Sequence, residues 1–274
     1  LGYFLGASGR KPDLAAERLP ALEWIHTDKN ELGMPRFWRE LALSATAETR
    51  EKRDQHLAYA LVCAGAMLHV LQDMSSPSRV RDDLAAHLET LGAGAQDRGS
   101  RFEELAALAY GRLALPQGGG ALRLMTARDF FSNKTQTGLA DVTARSWYSA
   151  STVPKPLPLK KDNTDLLDRL LAAQVFPAPT PASKRSPLDL QAARSAGGTI
   201  LRNEQGVCLA QVRVEDGELV WWIGDECALE QIRVILPVAA RYSAGFLRWL
   251  FRGTLTVGAD SGVRTTTALG AGTL

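Results

Sequence analysis

The stretch TREKRDQHLAYALVCAGAMLHVLQDMSSPSRVRDDLAAHLET, residues 49–90, decides the reading of the fold. Its middle, from Tyr59 to Gln72, contains no Asp, Glu, Lys or Arg and is rich in alanine and leucine. It reads as one long helix from about Ala47 to Met74, apolar on several faces, and a helix of that kind belongs at the centre of a bundle. Ser75-Ser76-Pro77 stops it. His69 and Asp73 stand four apart on this helix, which sets imidazole and carboxylate on one face, one turn apart, where both can reach a single cation. Beyond the turn, Asp83 and His87 repeat the pairing in reverse order. Two such pairs flanking a sharp turn make a candidate metal pocket, because imidazole and carboxylate both suit zinc. A plainer reading stands beside it. The uncharged surroundings of His69 imply burial, a buried imidazole needs a partner, and a satisfied core histidine meets that need as well as a metal does.

Outward from this helix, the amino-terminal side offers Asp13 as the cap of a helix through LAAERLPALEWIHT, bent or split at Pro20 and closed by His26 and Asp28. Gly33-Met34-Pro35 is a turn, and apolar residues at 37, 38, 41 and 43 mark an amphipathic helix from Phe37 to Ala47. On the other side, Asp83 to Leu91 reads as a short helix. Ser100 and Glu103 form a capping box for a helix running through FEELAALAYGRLAL. Leu122 to Phe131 reads as a weaker helix. The mixed polar segment that follows, with Trp147 and Tyr148, reads as a loop whose aromatics pack inward over a site.

Seven of the thirteen prolines fall between Pro154 and Pro187, an extended linker or irregular excursion. The period then changes. Val207 to Val214, the turn Glu215-Asp216-Gly217 and Leu219 to Ile223 read as a β-hairpin, and Asp225 caps a long helix kinked at Pro237 and ended by Gly253. The expected fold is therefore mainly α, a multi-helix bundle around a central helix with one β-hairpin in the C-terminal part. Its divisions are a helical core over 1–150, a proline-rich excursion over 151–197, the hairpin and long helix over 198–253, and a tail over 254–274.

The net charge of +2 is too small to imply nucleic acid or acidic membrane as a partner unless a local patch such as Arg79 and Arg81 supplies it. Cys63 reads as a small core residue. Cys208 and Cys227 flank the hairpin and can pair in an oxidising compartment, although nothing in their spacing demands it. No window of about twenty uncharged apolar residues is present, so no membrane span is expected. A Gly-x-Ser-x-Gly elbow is also missing, and Gly118-Gly119-Gly120 precedes no phosphate-binding lysine. Metal chemistry is what remains.

The string AGAMLHVLQDMSSPSRVRDD, residues 64–83, resembles the signature of the zinc-dependent phospholipase C and single-strand-specific nuclease superfamily, in which H-x-x-x-D is followed by a proline and a second histidine. Looser similarity extends to RFEELA, GLADVTARSWYSASTVP and LPVAARYSAGFLRWLFRG, in the same order along the chain. The resemblance implies a mostly helical fold around three zinc ions, with metal-activated water attacking a phosphodiester of a lipid headgroup or nucleic acid. It implies His69 and Asp73 as zinc ligands, Asp73 bridging two metals, with Asp83 and His87 completing a reduced set. Asp13 and His26 match an upstream ligand pair by their separation. It also implies export, to a secreted, periplasmic or cell-envelope location, in keeping with a chain that starts at Leu1 without a methionine.

One position departs from the pattern. Six residues after Asp73 the family has a histidine, and this chain has Arg79. Arginine does not give up its proton and does not ligate zinc. Two functions are therefore expected. In one, a zinc-dependent phosphodiester hydrolase with an altered site uses Asp73 and Arg79 catalytically and holds phosphate with Arg79 and Arg81. In the other, the fold survives as a catalytically inactive binding or structural module, and a salt bridge from Arg79 to Asp73 or Asp83 replaces the missing cation.

Overall fold

The computed structural model describes residues 20–83, 85–86, 100–109, 111, 120–158, 191–195, 198–203 and 205–252. The fold is mainly α. In chain order the described helices are α1 (Ala21–His26), α2 (Met34–Thr46), α3 (Arg50–Asp73), α4 (Pro77–Val80), α5 (Arg101–Ala109), α6 (Ala127–Phe131) and α7 (Leu139–Ser146). A 3-10 turn at Ala150–Thr152 follows. Strands β1 (Leu157–Pro158), β2 (Gln191–Ser195), β3 (Gly198–Arg202), β4 (Cys208–Glu215) and β5 (Glu218–Trp222) precede the last helix, α8 (Asp225–Leu250). The residues divide into two compact units that do not follow chain order. One holds the described parts of 72–118 and 139–239, the other those of 2–71, 119–138 and 240–274.

In the first of these units the expected hairpin is present and larger than expected. Asp216 and Gly217 both have positive φ, 50° and 77°. A two-residue turn with both central residues in that region matches the twist of the flanking strands, so Glu215 pairs Glu218 and Val212 pairs Trp221. The hairpin does not stand alone, because the strands form one antiparallel sheet in the order β1-β5-β4-β3-β2. A two-stranded ribbon is marginal in water, and the added strands give it a full apolar face. Leu201, Leu209, Val212, Leu219 and Trp221 form that face with Trp147 and Ile235. A disulfide joins Cys208 on β4 to Cys227 in the first turn of α8. Gln231 donates to the carbonyls of Cys208 and Leu209 at 3.0 and 3.2 Å, tying the same strand to the same helix. The segment after α6, expected as a loop, contains helix α7. Its aromatics do pack inward, Trp147 being 3% and Tyr148 5% exposed.

The second unit is built on aromatic packing. Phe246 meets Phe130 and Phe131 edge-on at 5.6 and 5.7 Å and stacks on Trp249 at 6.2 Å. Phe37 meets Trp38 at 4.9 Å and Phe251 at 5.6 Å. Gly245 is where α8 comes against the chain before α6, and a Cβ there would lie 2.5 Å from the Leu122 carbonyl oxygen. Only glycine allows that approach. The expected start of a helix at Leu122 is replaced by a start at Ala127, where Thr126 and Asp129 cap each other reciprocally. Helix α8 continues through Pro237 as one element. Asp225 is its first residue rather than its cap.

Helix α3 differs most from its expected character. It buries Ala60, Cys63, Ala64, Ala66, Met67, Val70 and Leu71, but Leu57, Leu61 and Val62 are exposed at 38%, 51% and 56%. Its apolar residues lie on several faces, as expected, but packing covers only one side of it. His69 lies on the open side and is exposed, against the burial its uncharged neighbours implied.

Candidate functional site

Helix α3 ends at Asp73, the amides of Ser75 and Ser76 bonding back to Gln72 and Asp73, and Pro77 opens the single turn α4. A proline suits that first position because its missing N–H would have had no helical partner. The turn brings Arg79 back against the end of α3. Arg79 Nη1 lies 3.3 Å from Asp73 Oδ2, and Arg79 Nε donates to Glu103 Oε1 at 2.7 Å. Glu103 also does the work its sequence position predicts, since its other oxygen accepts the Ser100 amide at 2.9 Å while Ser100 Oγ accepts the Glu103 amide. One carboxylate thus caps α5 and holds Arg79 together. All three side chains are largely withdrawn from solvent, at 19%, 11% and 23% exposed for Arg79, Asp73 and Glu103.

Arg81 and Asp83 are engaged by α7 and the chain that follows it. Arg81 Nε donates to Thr152 Oγ1 at 2.7 Å and Nη1 to the Ala144 carbonyl at 2.9 Å, with the guanidinium over the Tyr148 ring. Burial lowers the Arg81 pKa from its ordinary value, against the pull of Tyr148 and Asp83. Burial likewise pushes the Tyr148 phenol up to about 12, which Arg81 opposes. Asp83, 6% exposed, accepts the Ala86 amide on Oδ1 at 3.0 Å and the Ser151 amide on Oδ2 at 2.9 Å. Burial alone would raise its pKa, but hydrogen bonds from Ser149, Ala86 and Ser151 hold it below the usual carboxylate range. Asp82 takes a left-handed φ of 52°, and the Asp83 amide donates back to the Ser78 carbonyl at 2.8 Å.

The expected zinc ligands are distributed as follows. His69 and Asp73 share α3, four residues apart, with His69 exposed and Asp73 against Arg79. Asp83 is committed to two backbone amides. His26 ends α1, where partial burial and then the Arg128 charge lower its pKa. Asp13 and His87 lie outside the described residues. Among the described residues no three His, Cys, Asp or Glu side chains converge as a metal ion would require. Among the described residues this donor set does not fit zinc, because a guanidinium stands against Asp73 and both Asp83 oxygens already accept amides. A nearby cavity of about 40 Å³, lined by Pro77, Ser78, Ser100, Tyr148, Ser149 and Gln231 among others, has room for a water or two. Small-molecule sites begin near 300 Å³.

Sequence reasoning missed Glu103 as the second partner of Arg79, although the capping-box motif had already placed it at a helix start. It also missed a cluster in the other unit. Glu40, 3% exposed, is held by Arg36 Nε at 2.7 Å and His56 Nδ1 at 2.6 Å. The i, i+4 spacing of Arg36 and Glu40 was the available signal. No helix among the described residues is long and apolar enough to cross a membrane. No family model, curated protein or solved structure matches the chain, so the resemblance rests on the residues quoted above.

Proposed function

We propose that this chain is a catalytically inactive structural or binding module, in which Arg79 takes the charge-neutralising place that a zinc ion has in the superfamily it resembles. The observation that carries this reading is the seat of Arg79 between Asp73 and Glu103, at 3.3 and 2.7 Å. A permanent cation there neutralises the carboxylates without any metal, and it cannot leave as a metal does. The commitment of Asp83 to the Ala86 and Ser151 amides supports the same reading, since a ligand position has become a loop clamp. Arg81 spends its donors on Thr152 and Ala144 and is a bracket for the α7 segment rather than a phosphate grip. The Cys208–Cys227 disulfide supports work in an oxidising location such as the periplasm, the cell envelope or outside the cell.

The competing function, a zinc-dependent phosphodiesterase, is tested with a chromogenic phosphodiester and added zinc, on the wild-type chain and on Arg79→His. The inactive reading expects no turnover above buffer from the wild type. Zinc-dependent turnover that disappears in both His69→Ala and Asp73→Asn would overturn it.

A further inference from the structure

We propose that the exposed face of α3 between Asp54 and His69 is a self-association surface, on which a second copy packs its own α3 antiparallel about a two-fold axis between Leu61 and Val62. Asp54, Ala58, Leu61, Val62, Gly65 and His69 fall on one side of the helix at spacings of three, four and seven residues. All six are exposed, and Leu61 and Val62 at the centre are exposed at 51% and 56%. The middle four, Ala58, Leu61, Val62 and Gly65, make a contiguous apolar patch rather than a scattered leucine, and Asp54 and His69 flank it.

Gly65 supplies an independent observation. It sits inside a 24-residue helix, where glycine is the poorest choice after proline. A Cβ placed on it would meet nothing within 4 Å, so this chain's own packing does not explain it. Close approach of another backbone does. Pairing two α3 helices so that residue numbers add to a constant, with Leu61 opposite Val62, also sets Ala58 opposite Gly65 and Asp54 opposite His69. Small residues then meet small residues on either side of the apolar centre. At each end Asp54, paired with Arg50 of its own chain at 3.6 Å, comes opposite His69. A parallel pairing would instead set Asp54 against Asp54, which like charge disfavours. Self-complementarity of this kind is what an isologous interface requires. From Asp54 to His69 the strip is about 22 Å long at about 1.5 Å per residue and roughly one helix wide. That is well short of the roughly 800 Å² per partner of standard interfaces, which places the dimer in the weak, transient class.

Sedimentation equilibrium tests this on the full chain. The expected result is a reversible dimer at high concentration, absent in Val62→Glu, whose side chain is exposed and whose thermal melt should match the wild type. Gly65→Gln should stabilise the monomer and weaken the dimer. Single spin labels at Lys52→Cys and Gln55→Cys give the orientation, since Cys63 is buried and Cys208 and Cys227 are bonded to each other. Antiparallel packing makes the label separation about 9 Å longer at position 52 than at 55. A chain that stays monomeric up to about 1 mM would overturn the proposal. So would a dimer untouched by Val62→Glu or Gly65→Gln, equal label separations, or binding of this face to lipid vesicles in place of a second copy.

Discussion

Asp73 and Glu40 are both carboxylates kept from water, and the chain neutralises them in different ways. Glu40 is the more buried, yet its partners are near in sequence, Arg36 one turn away and His56 on the next helix, both at bonding distance. Asp73 lies in the other unit and shares the single guanidinium of Arg79 with Glu103, which is thirty residues farther along the chain. The first is a local ion pair reinforced by an imidazole, of the kind that locks two helices together. The second gathers two acidic groups around one cation, an arrangement that a metal site also needs. On the proposed function, the Arg79 cluster stands in for a metal site and the Glu40 cluster is architecture.

Removing the shared cation should be the most damaging change. Arg79→Ala is expected to cost about 2–4 kcal/mol in denaturant unfolding, somewhat under the cost of breaking a fully buried pair because its partners keep some solvent access. Arg79→Lys should recover only part of it, since one ammonium cannot serve both carboxylates with a planar fork. If Arg79→Ala proves neutral, the cluster is no substitute for a cation. Reduction of the Cys208–Cys227 bond, which closes a loop of 19 residues, should cost about 3 kcal/mol. Hydrogen exchange should then rise in β4 and the start of α8 before it rises in α2, which would separate the two units experimentally.

Glu40→Gln should cost less, about 1–3 kcal/mol, because the amide keeps a hydrogen bond to one partner while losing charge. A cost above that of Arg79→Ala would reverse the ranking of the two clusters. Asp83 adds a pH dependence to the Arg79 side. Its folded pKa is depressed from 3.8, so the stability it contributes is fully present above 3.8 and is lost as the pH falls through the folded value. Asp83→Asn should therefore flatten acid unfolding below about pH 4 and leave the slope above it unchanged. The smallest effect is expected for the exposed Arg50–Asp54 pair, separated by 3.6 Å, where Arg50→Ala should change stability by no more than about 0.5 kcal/mol.

Where local chemistry decides structure, the chain could be read directly. The turn at Asp216-Gly217, the Ser100–Glu103 capping box and the long helices α3 and α8 follow from nearest neighbours and periodicity. Strands β1, β2 and β3 did not announce themselves, because their pairing with the hairpin is a long-range fact. The same holds for the exposure of His69. An uncharged run says what surrounds a residue in sequence, and only packing says which side of α3 faces water. The candidate site was half legible. The positions of Asp73, Arg79 and Asp83 were singled out, and an Arg79–Asp73 bridge was one of the two expectations, but the claim of Glu103 on the same guanidinium needed α5 in place.

The central claim, that Arg79 does permanently what a zinc ion does elsewhere, reduces to one titration. Purified chain stripped with a chelator is equilibrated with zinc at neutral pH, desalted and analysed for bound metal by mass spectrometry, beside Asp73→Asn. The account predicts no stoichiometric zinc on the wild type and no difference between the two proteins. One or more zinc ions retained per wild-type chain, and lost in Asp73→Asn, would contradict it.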